Sequence, residues 1–250
     1  MPEPIDLLAI GPHPDDAEMS SGGWLALASK QGYRTGIIHL TKGEMGTHGT
    51  AQQRVKEARD AGRILGLSAL EFAGLIDGHV NDDEKSVAVL VRLIRRLRPG
   101  VLIAPPTVCH HPDHEAAGRL AIKAVHFAAL KKYSAGRGDG GVHKVKRIVH
   151  ARYSVPFDPS FYVDVSSVIG TKLTAIAAYA GQFVTSLEKT GEPKTRMSRP
   201  GFLDQFISVT ASYGLKAGCA HAEAYYARVA PTLKDPIKTL NEGPSHHLIR

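Results

Sequence analysis

Twice in this chain a short apolar run is followed by a His-Pro-Asp sequence. Ile5–Ile10 precedes Pro12-His13-Pro14-Asp15-Asp16, and Val101–Ala104 precedes His110-His111-Pro112-Asp113-His114. Each run reads as a buried strand, and each loop sets imidazoles and carboxylates just past the strand's end. Open α/β sheets bind their ligands in that position, outside the carboxyl ends of the strands. The rest of the chain can be read as the scaffold that brings the two loops together.

Strand and helix patterns alternate along the chain. Thr35–Leu40, Ala69–Phe72, Arg147–Arg152 and Phe161–Asp164 read as further strands. Helical patterns cover Gly22–Gln31, Ala51–Leu65, Asp82–Leu97, Glu115–Lys132, Ser166–Ala180 and Phe202–Ala217. Within the third of these, Val87, Leu90, Val91 and Ile94 share one face. The alternation predicts an α/β fold: a Rossmann-like parallel sheet with helices on both faces. A strand order of 3-2-1-4-5 makes the first and fourth strands neighbours, so the two loops meet at one crevice. One domain is expected over residues 1–240, with a C-terminal extension at 241–250 forming a flexible tail.

Composition narrows the function classes. With 43% hydrophobic residues, 250 residues suffice for one large core. The net charge is +7, but the Lys and Arg residues are scattered and aromatics make up only 6%, which argues against a nucleic-acid platform. No apolar run reaches the roughly 18 residues that a membrane span needs. The N-terminus lacks the pattern of a signal peptide. The two cysteines, Cys109 and Cys219, form no Cys-x-x-Cys pair. They fit a reducing, cytoplasmic compartment, with Cys109 read as a buried, inert thiol. Gly136–Gly141 matches Gly-x-Gly-x-x-Gly but follows a helix and precedes a strand, the wrong context for a dinucleotide site. The chain contains neither a P-loop nor a Gly-x-Ser-x-Gly nucleophile motif.

The two loops carry the chemistry. His13 and Asp16 from one loop and His114 from the other supply the imidazoles and carboxylate of a zinc site with an open position. Two imidazoles and a carboxylate also suit iron or manganese. Asp15, beside the ligand Asp16, is placed to act as general base on a water. His111 is the candidate to stabilise an oxyanion or protonate a leaving group, with Asp113 holding its ring. The Gly- and Thr-rich stretch Thr41–Thr50 allows close approach of backbone to a ligand, and Glu44 and His48 are weaker candidates for substrate contact. Thr50 is a candidate helix cap. Arg54, in the first turn of the next helix, sits against the helix dipole. It serves either a substrate anion or an ion pair with a nearby acid.

These residues resemble a known family. The first-strand loop, the stretch TKGEMGTHGT, the Arg54–Glu57 helix and the second His-Pro-Asp-His are similar to the LmbE-like, or PIG-L, zinc-dependent de-N-acetylases. The likeness extends to Ser167–Phe183 and to Gly218–Tyr225, which reads like the family's closing Gly-x-x-x-Ala-Glu-x-Tyr. The Thr41–Thr50 stretch is most similar to the branch that deacetylates N-acetylglucosaminyl malate in bacillithiol biosynthesis. The resemblance implies His13, Asp16 and His114 as zinc ligands, Asp15 as base, and His111, oriented by Asp113, as the electrophilic or acid partner. It implies Arg54 as a substrate-anion contact, a small-molecule N-acetyl sugar as substrate, and a homo-oligomer, hexameric or trimeric. That branch commonly carries Asp where this chain has Cys109. A rival expectation is a metal- or ligand-binding protein on the same fold, although such a site needs neither Asp15 nor His111.

Overall fold

Adjacent residues of the central strands serve opposite faces of one sheet. In β1 (Leu7–Gly11), Leu8 and Ile10 enter one apolar cluster while Leu7 and Ala9 enter another. In β4 (Val101–Ala104), Leu102 and Ala104 part from Ile103 in the same way. This is the period of two expected of strands buried on both faces. α3 (Glu84–Leu97) and α4 (Pro112–Ala128) cover the first face. α1 (Asp16–Lys30), α2 (Ala51–Leu65) and α5 (Ile169–Ala177) cover the second. Each fully buried Leu or Ile contributes roughly 1.5–3 kcal/mol, so these two clusters supply the main drive to fold.

This computed structural model describes residues 3–182, 201–234, 237 and 239. The remaining strands are β2 (Thr35–His39), β3 (Ala69–Phe72), β5 (Arg147–Ala151), β6 (Phe161–Asp164) and β7 (Ala222–Tyr226). The sheet order is β3-β2-β1-β4-β5-β7-β6. The strands β1 to β5 are parallel and follow the expected order 3-2-1-4-5. β1 and β4 lie side by side, with Leu7 opposite Val101. The sheet as a whole is mixed, because β7 runs antiparallel to both β5 and β6. An antiparallel edge on a parallel sheet is common in α/β folds. α6 (Phe202–Ala217) packs on β6 and β7 at that edge.

Helix ends follow local chemistry. The Thr50 side chain accepts the N–H of Gln53 and caps α2, and Gly66 ends that helix at φ 72°. α4 begins at Pro112, earlier than the periodicity suggested, with His111 as its cap. Proline is well suited to a first helical position, because its missing N–H has no partner to lose there. The second His-Pro-Asp-His is therefore a helix start rather than a free loop. Among the described residues no helix is long and apolar enough to cross a membrane. The tail expected at 241–250 lies outside the described residues.

Candidate functional site

The loops after β1 and β4 meet, as the strand order requires. His13 Nδ1 lies 3.0 Å from Asp16 Oδ2, and His114 Nε2 lies 3.4 Å from the same oxygen. One donor atom from each of the three residues lies within 4.8 Å of the others. Ligands bound to zinc tetrahedrally at about 2.0–2.1 Å would have donor atoms about 3.3–3.4 Å apart. The three residues thus fit a divalent transition metal in both chemistry and spacing. The backbone N–H of His13 also donates to Asp16 Oδ2 at 3.0 Å, which fixes the carboxylate in this orientation.

The other nitrogen of His13 is held as firmly. Its Nε2 lies 3.1 Å from Asp113 Oδ2 and 3.0 Å from Asp77 Oδ1. Asp113 also accepts the backbone N–H groups of Gly78 and Val80, at 2.8 and 3.2 Å. Carboxylates behind a metal-binding imidazole fix its tautomer and raise its basicity. Burial opposes charge on His13, but Asp113, Asp16 and Asp77 outweigh it and push its pKa up to about 12. Burial opposes charge on His114 too, yet Asp16 pushes that pKa up to about 9. Asp16 itself is held well below the usual carboxylate range, because His114 and His13 overcome its own burial. The surrounding carboxylates thus favour positive charge at an enclosed place.

Asp15 points elsewhere. Its backbone is at φ 105°, which only one other non-glycine described residue, Arg98, approaches in sign. Such a conformation costs of order 1–3 kcal/mol and persists where surrounding contacts impose it. Its side chain makes no capping bond to α1. Instead Arg54 Nη2 donates to Asp15 Oδ2 at 3.0 Å and to the Pro14 carbonyl at 2.6 Å, and Nη1 donates to the Gly43 carbonyl at 3.2 Å. Burial and the charges of Asp16 and Glu18 raise the Asp15 pKa, Arg54 restrains it, and it settles at about 7.

This contact decides between the two roles expected of Arg54, which is buried in an ion pair with Asp15. A Cβ at Gly43, where φ is 70°, would collide with the Arg54 guanidinium, and one at Gly46 would come within 2.7 Å of it. The glycines of this stretch therefore make room for an arginine, not for a ligand. Glu44 is exposed and accepts the N–H of Lys42 at 3.2 Å. It does not line the cavity described below. His48 is buried, and its carbonyl accepts from Gln182 Nε2 at 2.8 Å.

His111 also has a different partner from the expected one. Its Nδ1 accepts the backbone N–H of Asp113 at 3.2 Å, while the Asp113 carboxylate turns to His13. A helix cap draws in the N–H groups of the first turn, and His111 is that cap. With Nδ1 accepting, the neutral ring carries its proton on Nε2. Partial loss of solvent at the cavity wall and the charges of His114 and His13 hold its pKa below the ordinary value. His111, His114 and Asp16 open onto a cavity of about 550 Å³ whose far wall is Phe202, Phe206 and Val209 of α6.

A family profile described as "PIG-L: GlcNAc-PI de-N-acetylase" matches residues 8–125, the span that contains both loops. The crystal structure of a conserved protein from Thermus thermophilus shares the fold with a TM-score of 0.82 at 37% identity, covering 92% of this chain and 97% of that one. The chain belongs to the PIG-L (LmbE-like) family. A diacetylchitobiose deacetylase of Thermococcus kodakarensis is 28% identical over 229 residues, which is 87% of this chain and 80% of that protein. A probable N-acetyl-alpha-D-glucosaminyl L-malate deacetylase 2 of Bacillus cereus is 29% identical over 197 residues, 74% and 86% of the two chains.

In this PIG-L chain several site residues escaped sequence reasoning. Asp77 follows β3 as an isolated acid, and only the sheet order brings it to His13. Tyr153 packs edge-on against His114 at 5.0 Å between ring centroids. Cys109 is half-buried rather than inert in a core: its Sγ lies 3.3 Å from His114 Nδ1 and 3.1 Å from Ser154 Oγ. The soft sulfur of Cys109 thus faces His114, where carboxylates face His13. The available signal for Tyr153 and Ser154 was their place just past the end of β5.

Proposed function

We propose that this protein is a metal-dependent N-deacetylase that removes acetyl from an N-acetylglucosamine unit of a small conjugate. The observation that carries the reading is a buried carboxylate, Asp15, poised next to a metal-shaped donor set but turned away from it. His13, Asp16 and His114 would hold the metal, zinc being a good match to the donors. A metal bound there would polarise the amide carbonyl and acidify a water. Asp15, with a pKa of about 7, is matched to accept the proton of that water at neutral pH. The His111 Nε2–H would donate to the carbonyl oxygen as negative charge develops on it. The oxygen of the deprotonated water bonds to the carbonyl carbon, the amide C–N bond then breaks, and the protonated Asp15 returns its proton to the departing sugar amine. Acetate and a free glucosamine amine result.

The relatives act, by their names, on diacetylchitobiose and on N-acetylglucosaminyl malate, and both contain N-acetylglucosamine. That shared unit supports the sugar assignment. We keep L-malate, in bacillithiol biosynthesis, as the first partner group to test. The test is acetate release by metal-loaded protein from N-acetylglucosamine joined to malate, to inositol, to a second N-acetylglucosamine, and alone. Release from at least one, abolished by chelation and restored by metal, is the expected result. No release from any of them would favour a binding protein on this fold.

A further inference from the structure

Among the described residues, the buried cations are each matched by an acid. Arg54 pairs with Asp15, Lys172 with Glu223 at 2.5 Å, and Arg95 with Asp139 at 2.6 Å. Arg152 differs. It is half-buried and lines the same cavity as Asp16, His111 and His114. Its Nε is shut off from solvent without a hydrogen-bond partner, as are those of Arg34 and Arg54, but those two guanidinium groups pair with Glu3 and Asp15 through their Nη atoms, whereas Arg152 pairs with no acid among the described residues. Its contact is with the Tyr213 ring, 5.6 Å from the centroid. A ring face attracts the charge but accepts none of the five N–H groups, which lie in the guanidinium plane. The other acid in the cavity wall, Glu223, is taken up by Lys172, by the N–H groups of Gly23 and Trp24, and by the Tyr225 hydroxyl.

Arg152 is also fixed relative to the reacting groups. It directly follows β5, at the carboxyl end of the sheet. The next two residues are anchored: Tyr153 against the His114 ring and Ser154 against Cys109. An unmatched guanidinium in a largely apolar cavity favours a planar or tetrahedral anion, which accepts two of its N–H groups at once.

We propose that Arg152 is a specificity-determining residue that takes an acidic group, carboxylate or phosphate, on the moiety joined to the N-acetylated sugar. This rests on the deacetylase reading and replaces the anion contact expected of Arg54. In the family resemblance that role belonged to the helix after β2; here the geometry moves it to the end of β5.

The test compares metal-loaded wild type with Arg152→Gln and Arg152→Lys. The substrates are N-acetylglucosaminyl malate and its dimethyl ester, and N-acetylglucosaminyl inositol with and without a phosphate. Wild type should prefer the acidic member of at least one pair. In Arg152→Gln that preference, as a ratio of kcat/KM values, should fall about 10–100-fold, chiefly through KM, as expected for loss of a charged hydrogen bond. Arg152→Lys keeps the charge without the fork and should restore part of it. The pair that shows the effect tells carboxylate from phosphate. Equal loss on acidic and neutral members, or a wild type with no preference, would overturn the inference while leaving the deacetylase reading intact. If wild type releases no acetate at all, that reading fails instead. Calorimetric binding of the malyl conjugate then decides this one: weaker binding by the lysine or glutamine variant supports it, and unchanged binding overturns it.

Discussion

The same tripeptide, His-Pro-Asp, does different work after β1 and after β4. After β1 the histidine is enclosed: both nitrogens of His13 face carboxylates, and its pKa is pushed up to about 12. After β4 the first histidine of the pair, His111, stays exposed, bonds to a backbone N–H, and is held below its ordinary pKa. The aspartates diverge likewise. Asp15 is strained, buried and raised to about 7, whereas Asp113 is anchored by Gly78 and Val80 and lowered, its burial overcome by His13. The first loop supplies two candidate ligands and a candidate base; the second supplies one candidate ligand and a donor. Sequence repetition here marks a shared place in the fold, not a shared role.

The comparison is broken most severely by removing a ligand. In His13→Ala or His114→Ala the bound metal should be lost and deacetylation should fall to background, read by elemental analysis and acetate release. His111→Gln should keep the metal and lower kcat by about 10²–10³, the usual cost of one donor to a developing oxyanion. If His111→Gln lost the metal, the division between the loops would be wrong.

Arg54→Gln tests the Asp15 side. Breaking a buried ion pair costs about 3–5 kcal/mol, so the melting temperature should drop clearly. Arg54 lowers the Asp15 pKa, so its removal should move the acidic limb of the kcat/KM profile to higher pH. An unmoved limb would leave Arg54 only a structural part.

A finer test reads protons. At pH 7 the metal-free protein should carry protons on His13 and His114, whose pKa values are raised to about 12 and about 9. Metal binding must displace them, so loading should release about two protons, and affinity should weaken as pH falls. Calorimetry in buffers of different ionisation heat measures the number. Zero release would mean that these imidazoles are not the ligands.

Much of this was legible in sequence because it rests on local pattern. The strands β1 to β5 and their helices show in apolar runs, periodicity and stop signals such as Gly66. β7 was not legible: Ala-Glu-Ala-Tyr-Tyr has weak strand preference, and it becomes a strand only between β5 and β6. Its Glu223 is buried because Lys172, Gly23 and Trp24 await it, partners far away in sequence. The trio His13, Asp16 and His114 followed from motif and strand order together. The partner of Arg54 did not. An arginine at a helix start is equally ready for an anion or an acid, and only the path of the Pro14–Asp15 backbone decides. Asp77 and Arg152 carry no motif at all and reach the site through sheet order alone.

The central claim is that Asp15 acts on a proton and does not bind the metal. Asp15→Asn keeps the size of the side chain and an oxygen for Arg54 but removes the basic carboxylate. Metal content and acetate release measured on the same preparation decide the matter. The expected result is one metal per chain, as in wild type, with kcat lower by about 10²–10⁴. Undiminished deacetylation with the metal in place would contradict the claim, and so would loss of the metal itself.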